Sequence, residues 1–227
     1  EVANMETYTN EFNNGFNASA LQKAITTFEG GVTFNIPTMG NSAPVADSLT
    51  SHSVTVTVTP SPIEASEVVD VERFSNEPDY REGVYAKLRA SVNEQRDTLI
   101  IAALDAATAE TVNLPNGELD KVGIFKVAQA MNAALLEPTD RVLVADFEKV
   151  LKKNVTAIAD ASEESEKNGV LIGKLVFRHG SNGYAFTKSQ VASFVPQQPD
   201  IAVEANNVKV TVLYGVRVMH GPIIIFH

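Results

Sequence analysis

The sequence predicts an α+β protein, because helical and strand-like segments come in blocks and not in strict alternation. Three observations carry this. Val32-Thr33-Phe34-Asn35-Ile36 and Ser53-Val54-Thr55-Val56-Thr57-Val58-Thr59 alternate apolar with small polar residues, the period of half-buried strands. Apolar residues then recur at helical spacing over residues 76–108. The chain finally returns to β-branched runs at Val208 to Tyr214, Val216 to Met219 and Ile223 to Phe226.

Taken in order, Glu1 to Gly15 is polar and rich in asparagine and reads as a loose arm ordered on contact. Ala18 to Phe28 places Leu21, Ile25 and Phe28 on one helical face, with Gly30-Gly31 as the stop. The two alternating runs follow, joined by a long turn from Pro37 to His52 that holds Gly40, Asn41, Ser42 and Pro44. From Gly30 to Ile63 the only formal charge is Asp47. A two-stranded ribbon of this kind is marginal in water, so its apolar face needs a second surface, on the same chain or on a neighbouring copy.

Ile63 to Phe74 reads as a further strand leading into the longest helix. Ser75 or Asn76 is the candidate cap, with Pro78 in the first turn and Asp79 at the positive end of the dipole. Tyr80, Val84, Leu88, Val92, Leu99, Ala103 and Ala106 mark its apolar side, and its length is on the order of 45 Å. The turn Asn113 to Gly117 separates it from a second helix, Glu118 to Leu136, with Val122, Phe125, Met131 and Leu135 as the apolar face. Arg141 to Ala145 is a short strand, Phe147 to Lys153 a short helix, Ile158 to Lys167 a weaker one, and Val170 to Phe177 a strand. Gly180 to Asp200 reads as irregular, with a helical turn over Lys188 to Phe194.

Composition narrows the function. The 227 residues carry 44% hydrophobic side chains, enough for a sizeable core. No apolar run reaches the roughly 20 residues of a membrane span. The absence of cysteine excludes disulfide scaffolds, thiolate metal sites and cysteine nucleophiles. A net charge of −10 is the opposite of a basic nucleic-acid groove.

Chemistry-bearing motifs are missing as well. His52, His179, His220 and His227 are not paired at a metal-ligand spacing. Arg178-His179-Gly180-Ser181 lacks a nucleophile elbow, and Gly180-Ser181-Asn182-Gly183 lacks the lysine of a phosphate loop. Asp160, Glu163, Glu164 and Glu166, flanked by Lys167, read as a solvated helix face. Asn17-Ala18-Ser19 and Asn154-Val155-Thr156 match a glycosylation sequon of a kind that arises readily by chance. The expectation is a protein that is not an enzyme and holds no metal or cofactor.

The succession of arm, charge-poor hairpin, strand, long helix, second helix, strand-helix unit Arg141 to Leu151 and closing strands Leu213 to Ile225 resembles the major capsid proteins of tailed bacteriophages. Theirs is the Hong Kong 97-type capsid fold, which encapsulins share. The resemblance implies an N-terminal arm over 1–29, an E-loop hairpin over 30–62 and a peripheral domain with its spine helix over 63–117. It further implies an axial domain over 118–202 and closing strands of the peripheral domain over 203–227. Val32, Phe34, Ile36, Val54, Val56 and Val58 would then be E-loop contacts to a neighbouring subunit. The hairpin lacks the lysine that some family members cross-link to an asparagine of another subunit.

What the resemblance implies for function is an icosahedral shell of pentamers and hexamers, assembled in a bacterial host cytoplasm and found in the virion. The shell would enclose double-stranded DNA without reading its sequence. Scaffold, portal and cement proteins are further candidate partners, and no membrane is involved. Glu1 in place of methionine raises the expectation that a scaffolding-like segment was cleaved in maturation. Two alternatives stand beside this reading: an encapsulin-like compartment with protein cargo, and a monomeric α+β binding domain whose hairpin folds back on its own core.

Overall fold

The computed structural model describes residues 2–31, 33–38, 52–107, 109–117, 119–146, 174–178 and 182–227. Its order is α1 (Val2–Asn14), α2 (Ala20–Lys23), β1 (Thr26–Glu29), β2 (Thr33–Thr38), β3 (His52–Thr57), β4 (Ser61–Val68), α3 (Val71–Asn76), α4 (Pro78–Ala106) and β5 (Ala109–Val112). Then come α5 (Lys121–Ala133), β6 (Arg141–Ala145), β7 (Lys174–Phe177), β8 (Gly183–Thr187), β9 (Val191–Val195), β10 (Asp200–Glu204), β11 (Asn207–Val218) and β12 (Ile223–Phe226).

Two five-stranded sheets organise the molecule. In the first, β11 is the shared rail: its first part pairs antiparallel with β4 and β10, and its last four residues pair with β9, which in turn runs parallel to β1. Val208, Val210, Val212 and Tyr214 alternate inward along β11, as Ile63 and Ala65 do along β4. The second sheet has the order β5–β12–β8–β6–β7. Every residue of β6 and β8 is buried, as expected of strands covered on both faces.

Helix α4 packs on the first sheet and shows why a helix this long persists. Pro78 occupies its first turn and Asp79 sits at the positive dipole end. Val84, Leu88, Val92, Arg96, Ile100 and Leu104 are all buried at a strict spacing of four. Each such step turns about 40° past a full turn, so the stripe winds through roughly 200° between Val84 and Leu104. A stripe that wraps so far needs cover from more than one side. Strands β4 and β11 supply one layer, and α1, α2 and α3 supply others.

That cover accounts for the first departure from sequence expectation. Glu1 to Gly15 is not a loose arm, since Val2–Asn14 is helical. Phe12 is fully buried, and Tyr8 meets Phe74 edge-on with centroids 5.1 Å apart. Glu11 accepts hydrogen bonds from Arg81 Nε at 2.7 Å and from the Tyr85 hydroxyl at 3.1 Å. Arg89 donates to the carbonyls of Glu11 and Phe12 at 3.0 and 3.1 Å, capping the end of α1 where carbonyls lack helical partners. Gly15 leaves room for this guanidinium, because a Cβ there would lie 2.2 Å from Arg89 Nη2. Tertiary docking therefore overrides weak asparagine propensity.

Other boundaries shift for local reasons. The helix expected over 18–28 stops at Lys23, and β-branched Thr26 and Thr27 enter β1 beside β9. The strand expected over 63–74 ends at Val68, where Asp70 caps α3 by accepting from Arg73 N at 3.1 Å. The long helix begins after Glu77, whose side chain makes no capping bond, so neither Ser75 nor Asn76 is the cap. The second helix covers 121–133, within the expected 118–136. The segment 180–200 holds two strands in place of irregular chain, and Gln190 between them accepts from Thr187 N at 2.7 Å and donates to Pro222 O at 2.7 Å. Sheet membership also differs from the linear division of the sequence. β9, from within 118–202, and β10, which crosses from 200 to 204, pair with β11, whereas β12, from 203–227, pairs with β5 and β8. The expected helices at 147–153 and 158–167, the acidic cluster Asp160 to Glu166, His179 and Asn154 lie outside the described residues.

Candidate functional site: the hairpin and the uncovered face of α5

Strands β2 and β3 form a separate antiparallel ribbon in which Thr33 faces Thr57, Phe34 faces Val56, Asn35 faces Thr55 and Ile36 faces Val54. The period of two sorts the ribbon into faces. Thr33, Asn35, Thr55 and Thr57 are exposed, with Thr55 donating to Asn35 Oδ1 at 2.8 Å and the Thr33 and Thr57 hydroxyls 3.3 Å apart. On the other face, Val56 and Val58 are 2% and 8% exposed and cluster with Ala192 and Phe194 of β9. Phe34 completes a three-ring contact, 5.1 Å from Phe28 and 5.3 Å from Phe194, while Phe28 and Phe194 stack at 5.4 Å.

The ribbon's root is thus seated on its own subunit. Of the six hairpin residues expected at a neighbour, Phe34, Val56 and Val58 join this intramolecular cluster. Ile36 and Val54 pair with each other two residues farther out, and Val32 lies outside the described residues, as does the turn 39–51. Gly215 makes the seat. A Cβ at that position would stand 2.6 Å from Val58 Cγ1, so only a glycine lets β11 and the ribbon approach this closely. The sequence signal for Gly215 was a lone glycine inside a strand pattern. Phe28 and Phe194 had none, being read as parts of a helix and of an irregular segment.

A second surface lies on α5. Ile124, Val127 and Met131 pack with Leu143, Ala185 and Ile224 of the second sheet. Val122, Phe125 and Leu135 instead stand 56%, 48% and 87% exposed. The face expected from sequence is therefore split, with Met131 inward and the other three outward. Leu135 also has φ of 56°, the left-handed conformation in which glycine is preferred. Its N–H donates to Asn132 O at 3.0 Å and that of Leu136 to Met131 O at 3.0 Å, closing the helix end. A leucine here is costly in backbone terms and gains little from burial among the described residues.

Among the described residues no three histidine, aspartate or glutamate side chains converge to hold a metal ion, and no helix is long and apolar enough to cross a membrane.

No protein-family model matches the chain, and no curated protein sequence does. Solved structures match over nearly its whole length. A virus-like particle from Pyrococcus furiosus aligns with a TM-score of 0.66 and 12% identity, covering 97% of this chain and 96% of that one. The capsid of Cyanophage P-SCSP1u aligns at 0.58 and 12% identity, covering 92% and 88%. The capsid of a native GTA particle aligns at 0.58 and 8% identity, covering 91% and 89%. The fold is the Hong Kong 97-type capsid fold, α+β with a long helix and several sheets, as the order of elements in the sequence led one to expect.

Proposed function

We propose that this chain is a major capsid protein that self-assembles into an icosahedral shell around the DNA genome of a tailed bacteriophage. The observation that supports it most is likeness to a virus-like particle and to a phage capsid over more than nine-tenths of this chain and 96% and 88% of theirs. The exposed apolar residues of α5 fit the same reading, because a subunit must carry apolar surface that only assembly covers. In this reading the hairpin is the E-loop. Phe34, Val56 and Val58 anchor its root, and the part beyond, which carries Ile36 and Val54, reaches the neighbouring subunit by strand-like contact. Charge-poor sequence lowers the desolvation cost of that contact, and the net charge of −10 limits adhesion to packaged DNA. Residues 63–117 would form the peripheral domain, 118–202 the axial domain and 203–227 the closing strands of the peripheral domain. Pentamers and hexamers, scaffold, portal and cement partners, and a virion location follow from the same reading.

A compartment with protein cargo is the second reading, favoured by the likeness to a virus-like particle. One experiment tests both. Purified protein is followed by size exclusion and electron microscopy, and the nucleic-acid content of any particle is measured. Closed particles with packaged DNA are the expected result. Particles filled with protein alone would select the compartment, and a stable 24.4 kDa monomer under all assembly conditions would defeat both shell readings.

A further inference from the structure

Between α2, the middle of α4 and the first sheet lies a cavity of about 660 Å³, within the size range of small-molecule sites. Arg96 of α4 lines it, only 5% exposed. Its Cζ lies 4.8 Å from the ring centre of Phe16 and 4.9 Å from that of Tyr214, so both rings contact the guanidinium. The hydrogen-bonding edge is a different matter. Arg96 donates to no acceptor among the described residues, and its Nε is fully enclosed. Asp97, next along the helix, is committed elsewhere: it accepts from the Ser19 hydroxyl at 2.6 Å and from Gln22 at 3.0 Å, and faces Arg178.

A buried guanidinium without an acceptor forfeits the interactions that normally offset its loss of water. Burial accordingly pushes the Arg96 guanidinium toward easier deprotonation, with Tyr214 and Asp97 opposing. The remaining charge around the cavity does not compensate, since Lys23 and Lys188 line it against the single carboxylate of Glu29. In a chain of net charge −10 this is a local reversal of sign.

We propose that this cavity binds an oxyanion, a carboxylate or phosphate group, held by the terminal Nη donors of Arg96 with the exposed Lys23 and Lys188 also lining it. The guanidinium fork matches such groups in two-point geometry, and contact with two rings fixes its plane in advance. The oxyanion could belong to a free small molecule or to an acidic side chain of a second copy of this chain. The inference does not rest on the shell reading, because the unassembled subunit already contains every residue named.

The test uses the full-length unassembled subunit and inorganic phosphate as probe, against sodium chloride at equal ionic strength. The expected result is a saturable shift of the Arg96 Nε–Hε resonance, with a rise in Tm of about 2–4 °C that R96K and K188A reduce. Repeating the thermal measurement on assembled particles distinguishes the sources. A persisting phosphate effect identifies a free anion, and an effect confined to the subunit identifies a neighbour's carboxylate; either sustains the proposal. A resonance that does not move in the wild type, or an equal thermal response in wild type, R96K and K188A, overturns it. The wild-type resonance decides the matter even if a variant does not fold.

Discussion

Helices α4 and α5 lie on the two sheets of one molecule, yet their surfaces follow opposite plans. Helix α4 buries Arg89, Arg96 and Asp97 together with its apolar stripe, whereas α5 keeps charge out of its packed side and leaves Val122, Phe125 and Leu135 in solvent. Arg89 and Asp97 are tolerated on α4 because α1 and the adjoining turn bring them partners, the Phe12 carbonyl and the Ser19 hydroxyl, whereas Arg96 rests against the rings of Phe16 and Tyr214. Nothing among the described residues covers the outer side of α5. The difference separates a helix covered within its own chain from one whose outer side stays in solvent, the side proposed above to be covered by assembly.

The largest effect is expected where that cover is internal. Arg89→Ala removes the donors to the Glu11 and Phe12 carbonyls and should cost about 2–4 kcal/mol in urea unfolding of the subunit. Amide exchange in α1 should rise with it. Retained protection of α1 in this variant would show that α4 does not depend on its cover.

Alkaline pH offers a second way to loosen the same layer, through Tyr85 of α4 and two tyrosines packed against it, Tyr184 and Tyr214. Burial, with the charge of Glu11, pushes the Tyr85 hydroxyl above its ordinary value of 10.0. Burial and the hydrogen bond to Asp105 do the same for Tyr184, and burial does so for Tyr214. A raised value means that the folded chain holds these protons where the unfolded chain releases them. The stability they contribute is intact below about pH 10 and is lost as pH rises toward the folded values. Unfolding free energy should therefore fall steadily above about pH 10, and Tyr85→Phe should flatten that slope. An unchanged slope would remove Tyr85 from the account.

Smaller changes on α5 sharpen the other half. Leu135→Gly relieves the left-handed strain and should raise subunit stability by about 1 kcal/mol while reducing particle yield. Phe125→Asp should alter subunit stability by less than about 0.5 kcal/mol and still lower the yield of particles. If both variants assemble like the wild type, the exposed face of α5 is not an assembly surface.

How far the sequence revealed these features depends on where their determinants lie. The first half of the α4 stripe (Val84, Leu88, Val92), the alternation of β2 and β3, and Arg141–Ala145 are local patterns that the structure repeats closely. Beyond Val92 the buried side runs through Arg96, Ile100 and Leu104 and not through the expected Leu99, Ala103 and Ala106. Helix α1 was hidden because its fixing groups, Arg81, Tyr85 and Arg89, sit some 70 residues away. Strands β8 and β9 were hidden because Gln190 and Ser193, polar residues in a segment with Gly183, Pro196 and Pro199, are buried against distant partners, the Pro222 carbonyl just before β12 and Thr27 of β1. The hairpin itself was legible, but its seat was not. A ribbon needing cover can be read from alternation, and the choice of Phe28, Phe194 and Gly215 as that cover cannot.

The rail formed by β11 has a consequence for how the chain is made. Strand β11 joins β4, β9 and β10, and β12 stands between β5 and β8, so both sheets depend on residues 207–226. While those residues are still being synthesised, β4 has no partner among the described strands and β5 has none either. Sequence-distant pairings of this kind form late and slowly. A nascent chain consequently cannot close either sheet until residues 207–226 have left the ribosome.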